Sequence, residues 1–185
     1  MQPALNPPAS AIRPATLDDV ESLVQLEQAC FDSDRLTRRN FRYLLTQGNA
    51  LLLVDDGQGS GRLRGYALVL FRTGTSLARL YSIAVAPDAR GRGIGQALIE
   101  AAEAASRDRD CVAMRLEIRA DNAAAEKLYR KMGYRPFGTY PDYYEDHADA
   151  VRMEKSLVTH LNPPVSRVPY YEQTLDFTCG PAVLI

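Results

Sequence analysis

The most specific local pattern in the chain is the stretch Ser82-Ile83-Ala84-Val85-Ala86-Pro87-Asp88-Ala89-Arg90-Gly91-Arg92-Gly93-Ile94-Gly95. Its apolar start predicts the end of a buried strand, glycine stands at every second position from Gly91 to Gly95, and the composition becomes helical from Ile94. Glycine lets the backbone turn several N–H groups toward one point, and the free amides and dipole of a helix start attract an anion. The stretch therefore predicts a strand, loop and helix that together bind a phosphate group.

Two common phosphate-binding loops do not match this stretch. The loop of nucleoside-triphosphate enzymes needs Gly-Lys-Ser or Gly-Lys-Thr, which is missing here. The dinucleotide-binding fingerprint needs its third glycine at position 96, where the chain has Gln96. From these residues alone, a phosphate site of another kind and a tight turn with no ligand remain as alternatives.

The pattern of apolar, capping and turn residues around this stretch predicts a mixed α/β layer structure with about seven strands and about four helices. Thr16 with Asp19, and then Thr37, are the predicted caps of the first two helices. Two more helices are expected at 94–106 and 123–132. The predicted strands lie near 11–13, 50–54, 63–71, 77–85, 112–118, 134–139 and 150–156.

The composition is that of an ordinary soluble globular protein. Of 185 residues, 46% are hydrophobic and 24% are charged, and the formal net charge is −1. A general polyanion binder carries a basic excess, so nucleic acid is not expected as a partner. Asn-Pro-Pro occurs at 6–8 and 162–164 and predicts linkers, so we expect a flexible segment (1–9), one domain (10–158) and a linker with a tail (159–185).

The cysteines and histidines do not indicate a disulfide framework or a metal site. The three cysteines, Cys30, Cys111 and Cys179, are odd in number and far apart, and His147 and His160 have no partner pattern. The N-terminus does not have the pattern of a signal peptide, and the apolar runs are too short to cross a bilayer. These observations predict a reduced, cytoplasmic protein without a metal or a membrane partner.

In its context, the glycine loop resembles the signature of the GCN5-related N-acetyltransferase (GNAT) superfamily, Arg/Gln-x-x-Gly-x-Gly/Ala, which 90–95 matches at every position. The resemblance covers residues 10–158 and implies the GNAT fold, with acetyl-CoA as cosubstrate. It implies that the loop amides hold the pyrophosphate and that the end of the preceding strand pairs with the pantetheine arm. The residues that it assigns to the cofactor are Ile83, Ala84, Val85, Arg90, Gly91, Arg92, Gly93, Ile94, Gly95, Gln96 and Asn122.

Within the superfamily, the stretch 116–134 resembles the ribosomal-protein alanine N-acetyltransferases, as do Tyr143-Tyr144 and the segment 149–153. This resemblance implies that Glu117 is the general base, directly or through a water, and that Tyr129 is the general acid that protonates the departing thiolate. The residues themselves allow other roles. Strand alternation places Glu117 beside arginines, so a cross-strand ion pair is one alternative, and Tyr129 lies on an apolar stripe that a core tyrosine would also fit.

The acceptor is expected to be a peptide or protein α-amine. At pH 7, neutralising an α-amine with a pKa of about 8 costs about 1.4 kcal/mol, whereas a lysine with a pKa of about 10.4 costs about 4.6 kcal/mol. The segment 31–36, which lines the acceptor cleft in the family, differs from the usual Pro-Trp pair, and the chain has no tryptophan. The acidic residues near this cleft either meet a basic peptide or are simply solvated; they are Asp32, Asp34, Glu145 and Asp146.

The tail has a resemblance of its own. Residues 168–182 resemble the opening of the bacteriocin-processing-type cysteine peptidases, which implies an oxyanion-hole role for Gln173 and a nucleophile role for Cys179. The His and Asp of that family follow well after the Cys, so no peptidase activity is expected from these residues. The apolar side chains of the tail are expected to dock on the domain or on a second copy of the chain, as in a homodimer.

Together these observations predict an acetyl-CoA-dependent N-acetyltransferase that acts on an amine by direct attack. The alternative is a non-catalytic domain that binds acyl-CoA or a peptide and serves a cysteine peptidase lying outside these residues.

Overall fold

Seven strands form one mixed sheet in the order β1-β2-β3-β4-β5-β7-β6 in the computed structural model, which describes residues 11–59 and 61–158. The strands are β1 (Ile12–Pro14), β2 (Ala50–Asp55), β3 (Gly65–Phe71), β4 (Leu77–Val85), β5 (Ala113–Arg119), β6 (Arg135–Tyr140) and β7 (Ala150–Ser156). The four helices are α1 (Val20–Cys30), α2 (Arg38–Thr46), α3 (Ile94–Arg107) and α4 (Ala123–Lys131). The predicted mixed sheet with four helices is confirmed.

Helices α1 and α3 cover opposite faces of the sheet. On β3, Tyr66 points toward α1, where its hydroxyl meets Glu27. Its neighbour Gly65 faces α3, and a Cβ there would lie 2.8 Å from the carbonyl oxygen of Ala84 and 3.0 Å from the side chain of Leu98. Glycine at position 65 therefore lets α3 pack directly onto the sheet.

The predicted helix caps are present, and one of them differs in the element that it begins. Thr37 and Asn40 form the capping box of α2, whereas the box of Thr16 and Asp19 opens a short 3₁₀ turn that leads into α1. On α1, Val24 is only partly buried, whereas Glu27 is fully buried. A carboxylate therefore lies in the core beneath α1.

The sheet is open between β4 and β5. These two strands are parallel neighbours, but the register pairs only 77–79 with 113–115. The pairing of β4 with β3 skips Tyr81, since Ser82 lies opposite Leu68 and Leu80 lies opposite Val69. A bulge of this kind bends a strand and increases its twist, which turns the end of β4 away from β5. We call the gap between residues 80–85 and 116–119 the wedge.

Several predictions from the sequence lie outside the described residues. They concern the segment 1–9, the tail 159–185 with Gln173 and Cys179, and docking through that tail. Within the described residues, no helix combines the length and apolarity needed to cross a membrane. The same residues contain no group of three or more His, Cys, Asp or Glu side chains placed to hold a metal ion.

Candidate active site

The glycine loop connects the end of β4 to the start of α3. Gly91 and Gly93 have φ angles of 74° and 77°, in the left-handed region that glycine adopts without strain. Gly93 is the N-cap of the 14-residue helix α3, and no side chain of the described residues caps the amides that follow. A Cβ added at Gly91 or Gly93 would meet no heavy atom within 4 Å, so the space beside the loop is open. The first amides of α3 can therefore bind an anion.

Hydrogen bonds hold the end of β4, the strand that enters the loop, and one edge of this strand end borders the wedge. The carbonyl oxygen of Val85 accepts hydrogen bonds from Arg90 Nε at 3.2 Å and from Cys30 Sγ at 3.4 Å. Ile83, Ala84 and Val85 are buried and pair with β3 through one edge, while their other edge lies beyond the pairing with β5. An extended ligand can pair with such an edge as an added strand.

Glu117 projects from β5 into a buried, charged cluster on the α1 face of the sheet. Its side chain is only 10% exposed, and Oε2 accepts a hydrogen bond from Arg79 Nε at 3.0 Å. Arg152, directly across on β7, brings its Nε to 3.9 Å from Oε1. The cross-strand ion pair considered from the sequence is therefore present, but it is buried rather than solvated.

The segment between β6 and β7 is tied to this cluster. Arg79 Nη2 donates a hydrogen bond of 2.8 Å to the Tyr143 hydroxyl, and the Tyr143 ring packs edge-on against Tyr144 at 5.1 Å. Tyr144 is 5% exposed, and none of residues 11–59 and 61–158 forms a hydrogen bond with its hydroxyl. Burial, with the nearby charge of Glu117 as a smaller cause, raises the pKa of Tyr144, so this hydroxyl remains protonated.

A second polar atom without a partner lies on this side of the site. Asp34, between α1 and α2, has a φ of 53°, and its buried Oδ1 has no hydrogen-bond partner among the described residues. The charge of Asp34 is one of the smaller causes that raise the pKa of Tyr144. Besides the Tyr144 hydroxyl and Asp34 Oδ1, Arg152 Nε is also buried without a hydrogen-bond partner among the described residues.

Tyr129 in α4 is fully buried, and its hydroxyl has no hydrogen-bond partner in the part of the chain that the structure describes. Its neighbour Tyr134, edge-on at 5.3 Å, donates a hydrogen bond of 2.9 Å to Glu103. Tyr134 is therefore a satisfied core tyrosine, and Tyr129 is not. Leaving a buried hydroxyl unpaired costs about 1–3 kcal/mol, so the position of Tyr129 needs a reason other than packing. Burial raises its pKa, which keeps the proton on the oxygen.

Glu117 and Tyr129 belong to opposite faces of the sheet. Lys155 binds Glu103 at 2.7 Å on the face where Tyr134 and Tyr129 pack, and it lies opposite Met114 in the β5–β7 register. Side chains alternate along β5, so Glu117 points to the other face. The β4–β5 wedge is where the sheet is open between these two faces.

The side chains of Asn122 and Gln96 already have partners. Asn122 is the N-cap of α4, and its Oδ1 accepts from the amide of Ala125 at 3.0 Å. The side chain of Gln96 donates to Glu100 along α3 at 2.8 Å. Asn122 therefore fixes the start of the helix that carries Tyr129. This capping role was not predicted, since the family resemblance assigned Asn122 only to the cofactor.

The residues that surround Glu117 were not predicted as part of the site. They are Arg79, Arg152 and Tyr143, which come from three separate parts of the chain. Strand alternation predicted that arginines lie beside Glu117, but it did not identify these residues. Arg152 is also stacked over the rings of Phe137 and Tyr140, at 4.6 Å and 4.3 Å from their centroids. These contacts hold the guanidinium of Arg152 in place beside the carboxylate.

Comparison with known proteins gives one family match and many relatives. Residues 20–134 match the acetyltransferase (GNAT) family. The [ribosomal protein bS18]-alanine N-acetyltransferase of Salmonella typhimurium is 39% identical over 115 residues, which cover 60% of this chain and 70% of the relative.

Solved structures share the fold. The ribosomal-protein-S18-alanine N-acetyltransferase from Escherichia coli superimposes with a TM-score of 0.71 at 23% identity, covering 85% of this chain and 98% of that one. Arabidopsis thaliana NAA60, solved in complex with acetyl-CoA, superimposes with a TM-score of 0.68 at 22% identity, covering 78% and 97%. The seven-stranded sheet and its flanking helices are common to these proteins.

Proposed function

The chain belongs to the acetyltransferase (GNAT) family and is an acetyl-CoA-dependent N-acetyltransferase, and we propose that its acceptor is the α-amine of a peptide or protein. The observation that carries this proposal is the pair of groups on the two sides of the wedge. One is the buried carboxylate of Glu117, and the other is the buried hydroxyl of Tyr129, which has no partner among the described residues. A carboxylate can accept a proton from an amine, and a phenol can donate one to a leaving group.

The residues around the wedge fit acetyl-CoA, which supplies an acetyl group activated as a thioester. The uncapped amides at the start of α3 suit a pyrophosphate. The edge of 83–85 suits the amide groups of a pantetheine arm. The unsatisfied hydroxyl of Tyr129 gives the site a donor that a sulfur atom can use. The glycine loop creates the first of these features, the bulge in β4 creates the second, and α4 carries the third.

In the proposed reaction, Glu117 takes a proton from the acceptor amine, directly or through a water, as the new N–C bond forms. Arg79 donates a hydrogen bond to one of its carboxylate oxygens, and the charged side chain of Arg152 lies 3.9 Å from the other. Tyr129 holds a proton on its oxygen and donates it as the C–S bond breaks, and it recovers that proton from solvent. Since burial favours the protonated phenol, Tyr129 enters the reaction as a donor.

The acceptor side of the site favours an amine that also carries hydrogen-bonding groups. Within the described ranges, one carboxylate oxygen of Asp34 and the hydroxyl of Tyr144 have no hydrogen-bond partner. A protonated α-amine can donate to Asp34, and the first carbonyl of a peptide can accept from Tyr144. The Salmonella relative, which is named for acetylating an alanine of a ribosomal protein, supports the same class of acceptor.

The test uses isotopically labelled acetyl-CoA and a peptide library in which half of the N-termini are blocked. Mass spectrometry then locates the label. Label on free α-amines supports the proposal. Label confined to lysine side chains, or no label when acetyl-CoA is bound, contradicts it.

The role of Tyr129 has a matched control in its neighbour. Tyr129→Phe is expected to lower kcat by about 10²-fold while leaving the Kd of acetyl-CoA unchanged. Tyr134→Phe removes a hydroxyl from the same aromatic pair but breaks a bond to Glu103, so it should lower stability and leave kcat unchanged. Equal kcat values for Tyr129→Phe and the wild type would rule out the acid role.

A further inference from the structure

A second buried polar cluster lies beneath α1, on the same face of the sheet as Arg79. Glu27, Tyr66 and Ser82 are all 0% exposed. The Tyr66 hydroxyl donates to Glu27 Oε1 and lies 2.6 Å from Ser82 Oγ. The other carboxylate oxygen of Glu27, Oε2, accepts from the backbone amide of Leu36 at 2.7 Å. We call these three side chains the Glu27 cluster.

The Glu27 cluster connects two parts of the proposed active site. Leu36 belongs to the segment 31–37 between α1 and α2, which also carries Asp34 with its unsatisfied Oδ1. Ser82 lies on β4, directly before the strand end 83–85 that borders the wedge. The connection therefore runs from the acceptor side, through one carboxylate, to the strand end on the cofactor side.

We propose that Glu27 is a positioning residue for the acceptor site, holding the segment 31–37 against β4 through its hydrogen bonds to Leu36 and to Tyr66. This inference rests on the proposed function, because the position of the segment 31–37 can affect acetylation only if the segment borders an acceptor site. Burying a carboxylate is costly, and an apolar side chain of similar size at this position of α1 would avoid that cost. The contacts of Glu27 explain why a carboxyl group occupies the position.

The hydrogen-bond pattern determines which substitution preserves this role. In Glu27→Gln, the side-chain oxygen can still accept from Leu36, and the side-chain NH₂ can donate to the Tyr66 oxygen. Tyr66 then donates to Ser82, whose contact with Tyr66 works in either direction. Glutamine can thus keep every bond of the cluster. Leucine has a similar size but leaves the amide of Leu36 and the hydroxyl of Tyr66 without partners.

The experiment compares full-length wild type, Glu27→Gln and Glu27→Leu. Glu27→Leu is expected to raise the KM of the acceptor peptide by about tenfold, as the loss of one or two hydrogen bonds implies, with the Kd of acetyl-CoA unchanged. Glu27→Gln is expected to keep the wild-type KM. If Glu27→Leu matches the wild type, or if Glu27→Gln loses as much as Glu27→Leu, the positioning role is overturned.

Hydrogen–deuterium exchange gives a measurement that does not depend on activity. Peptides covering 31–37 should exchange faster in Glu27→Leu than in the wild type, and at the wild-type rate in Glu27→Gln. Faster exchange in Glu27→Leu without any peptide acetylation by the wild type would support the contact and refute the proposed function. Unchanged exchange together with normal acetylation would refute the inference and leave the proposed function standing.

Tyr66→Phe tests the same connection if Glu27→Leu does not fold. It keeps the ring in place and removes only the hydroxyl that joins Glu27 to Ser82. A raised acceptor KM in Tyr66→Phe supports the inference, and an unchanged KM overturns it.

Discussion

Replacing Glu27 with glutamine should change how the free energy of unfolding depends on pH, and the size of the change follows from the burial of Glu27. Burial raises the pKa of Glu27 from about 4.5 to about 7, against the opposing effects of its bonds from Tyr66 and Leu36 and of the charge on Arg35. Between these two pH values the folded protein binds a proton that the unfolded chain has released. Stability contributed by Glu27 is therefore lost as the pH rises from about 4.5 to about 7.

The size of the effect follows from the two pKa values. At about 1.36 kcal/mol per pKa unit, the ionised carboxylate destabilises the folded state by about 3 kcal/mol above pH 7. Glutamine at position 27 does not ionise. The stability of Glu27→Gln relative to the wild type should therefore increase by about 2.5 kcal/mol between pH 5 and pH 8. All other titrating groups are common to both proteins, so their contributions cancel in this difference.

The assay is urea unfolding of both proteins at closely spaced pH values from 5 to 8, with the free energy of unfolding obtained by linear extrapolation. The informative quantity is the slope of the difference with pH, because a constant offset reports only the exchange of an oxygen for an NH₂ group. A difference that stays constant to within about 0.5 kcal/mol across this range would refute a raised pKa for Glu27.

Three further substitutions test the fold around the site. Gly65→Ala should destabilise the protein by about 1–3 kcal/mol in denaturant unfolding, because its methyl group would meet the carbonyl of Ala84 and the α3 side chains; wild-type stability would show that α3 can move away. Gly93→Ala should weaken acetyl-CoA binding measured by calorimetry, since its φ of 77° costs a non-glycine residue about 1–2 kcal/mol; an unchanged Kd would argue against the loop conformation. Thr37→Ala should lower stability by about 1 kcal/mol through loss of the α2 cap, and a stability equal to that of the wild type would contradict the cap.

The strands and helices could be predicted because their signals are local. The expected strands 77–85 and 150–156 coincide with β4 and β7, where alternation and turn residues lie within a few positions of each other. The glycine loop could also be predicted from the sequence, because few residues other than glycine adopt the positive φ angles found at Gly91 and Gly93. The bulge at Tyr81 was not predicted, because it depends on how β4 pairs with β3.

The surroundings of the candidate catalytic residues could not be predicted, because they depend on contacts between distant parts of the chain. Arg79 binds Glu117, 38 residues away, and Tyr143, 64 residues away. Glu27 did carry a local signal. It lies four residues after Leu23 and three before Cys30, on the buried stripe of α1, where a carboxylate requires partners. An acidic residue on an apolar stripe therefore indicates a buried network, even though the sequence does not identify its members.

The short pairing between β4 and β5 also has a consequence for how the chain folds. Strands β1 to β4 pair with their neighbours in sequence order, and β5, β6 and β7 form a second antiparallel group made from residues 113–156. Contacts that are close in sequence form quickly, whereas pairing across long separations is slow. We expect the two groups to form as separate units and to join last, through the three residue pairs between β4 and β5. Assembly of the substrate cleft would then be the final event of folding.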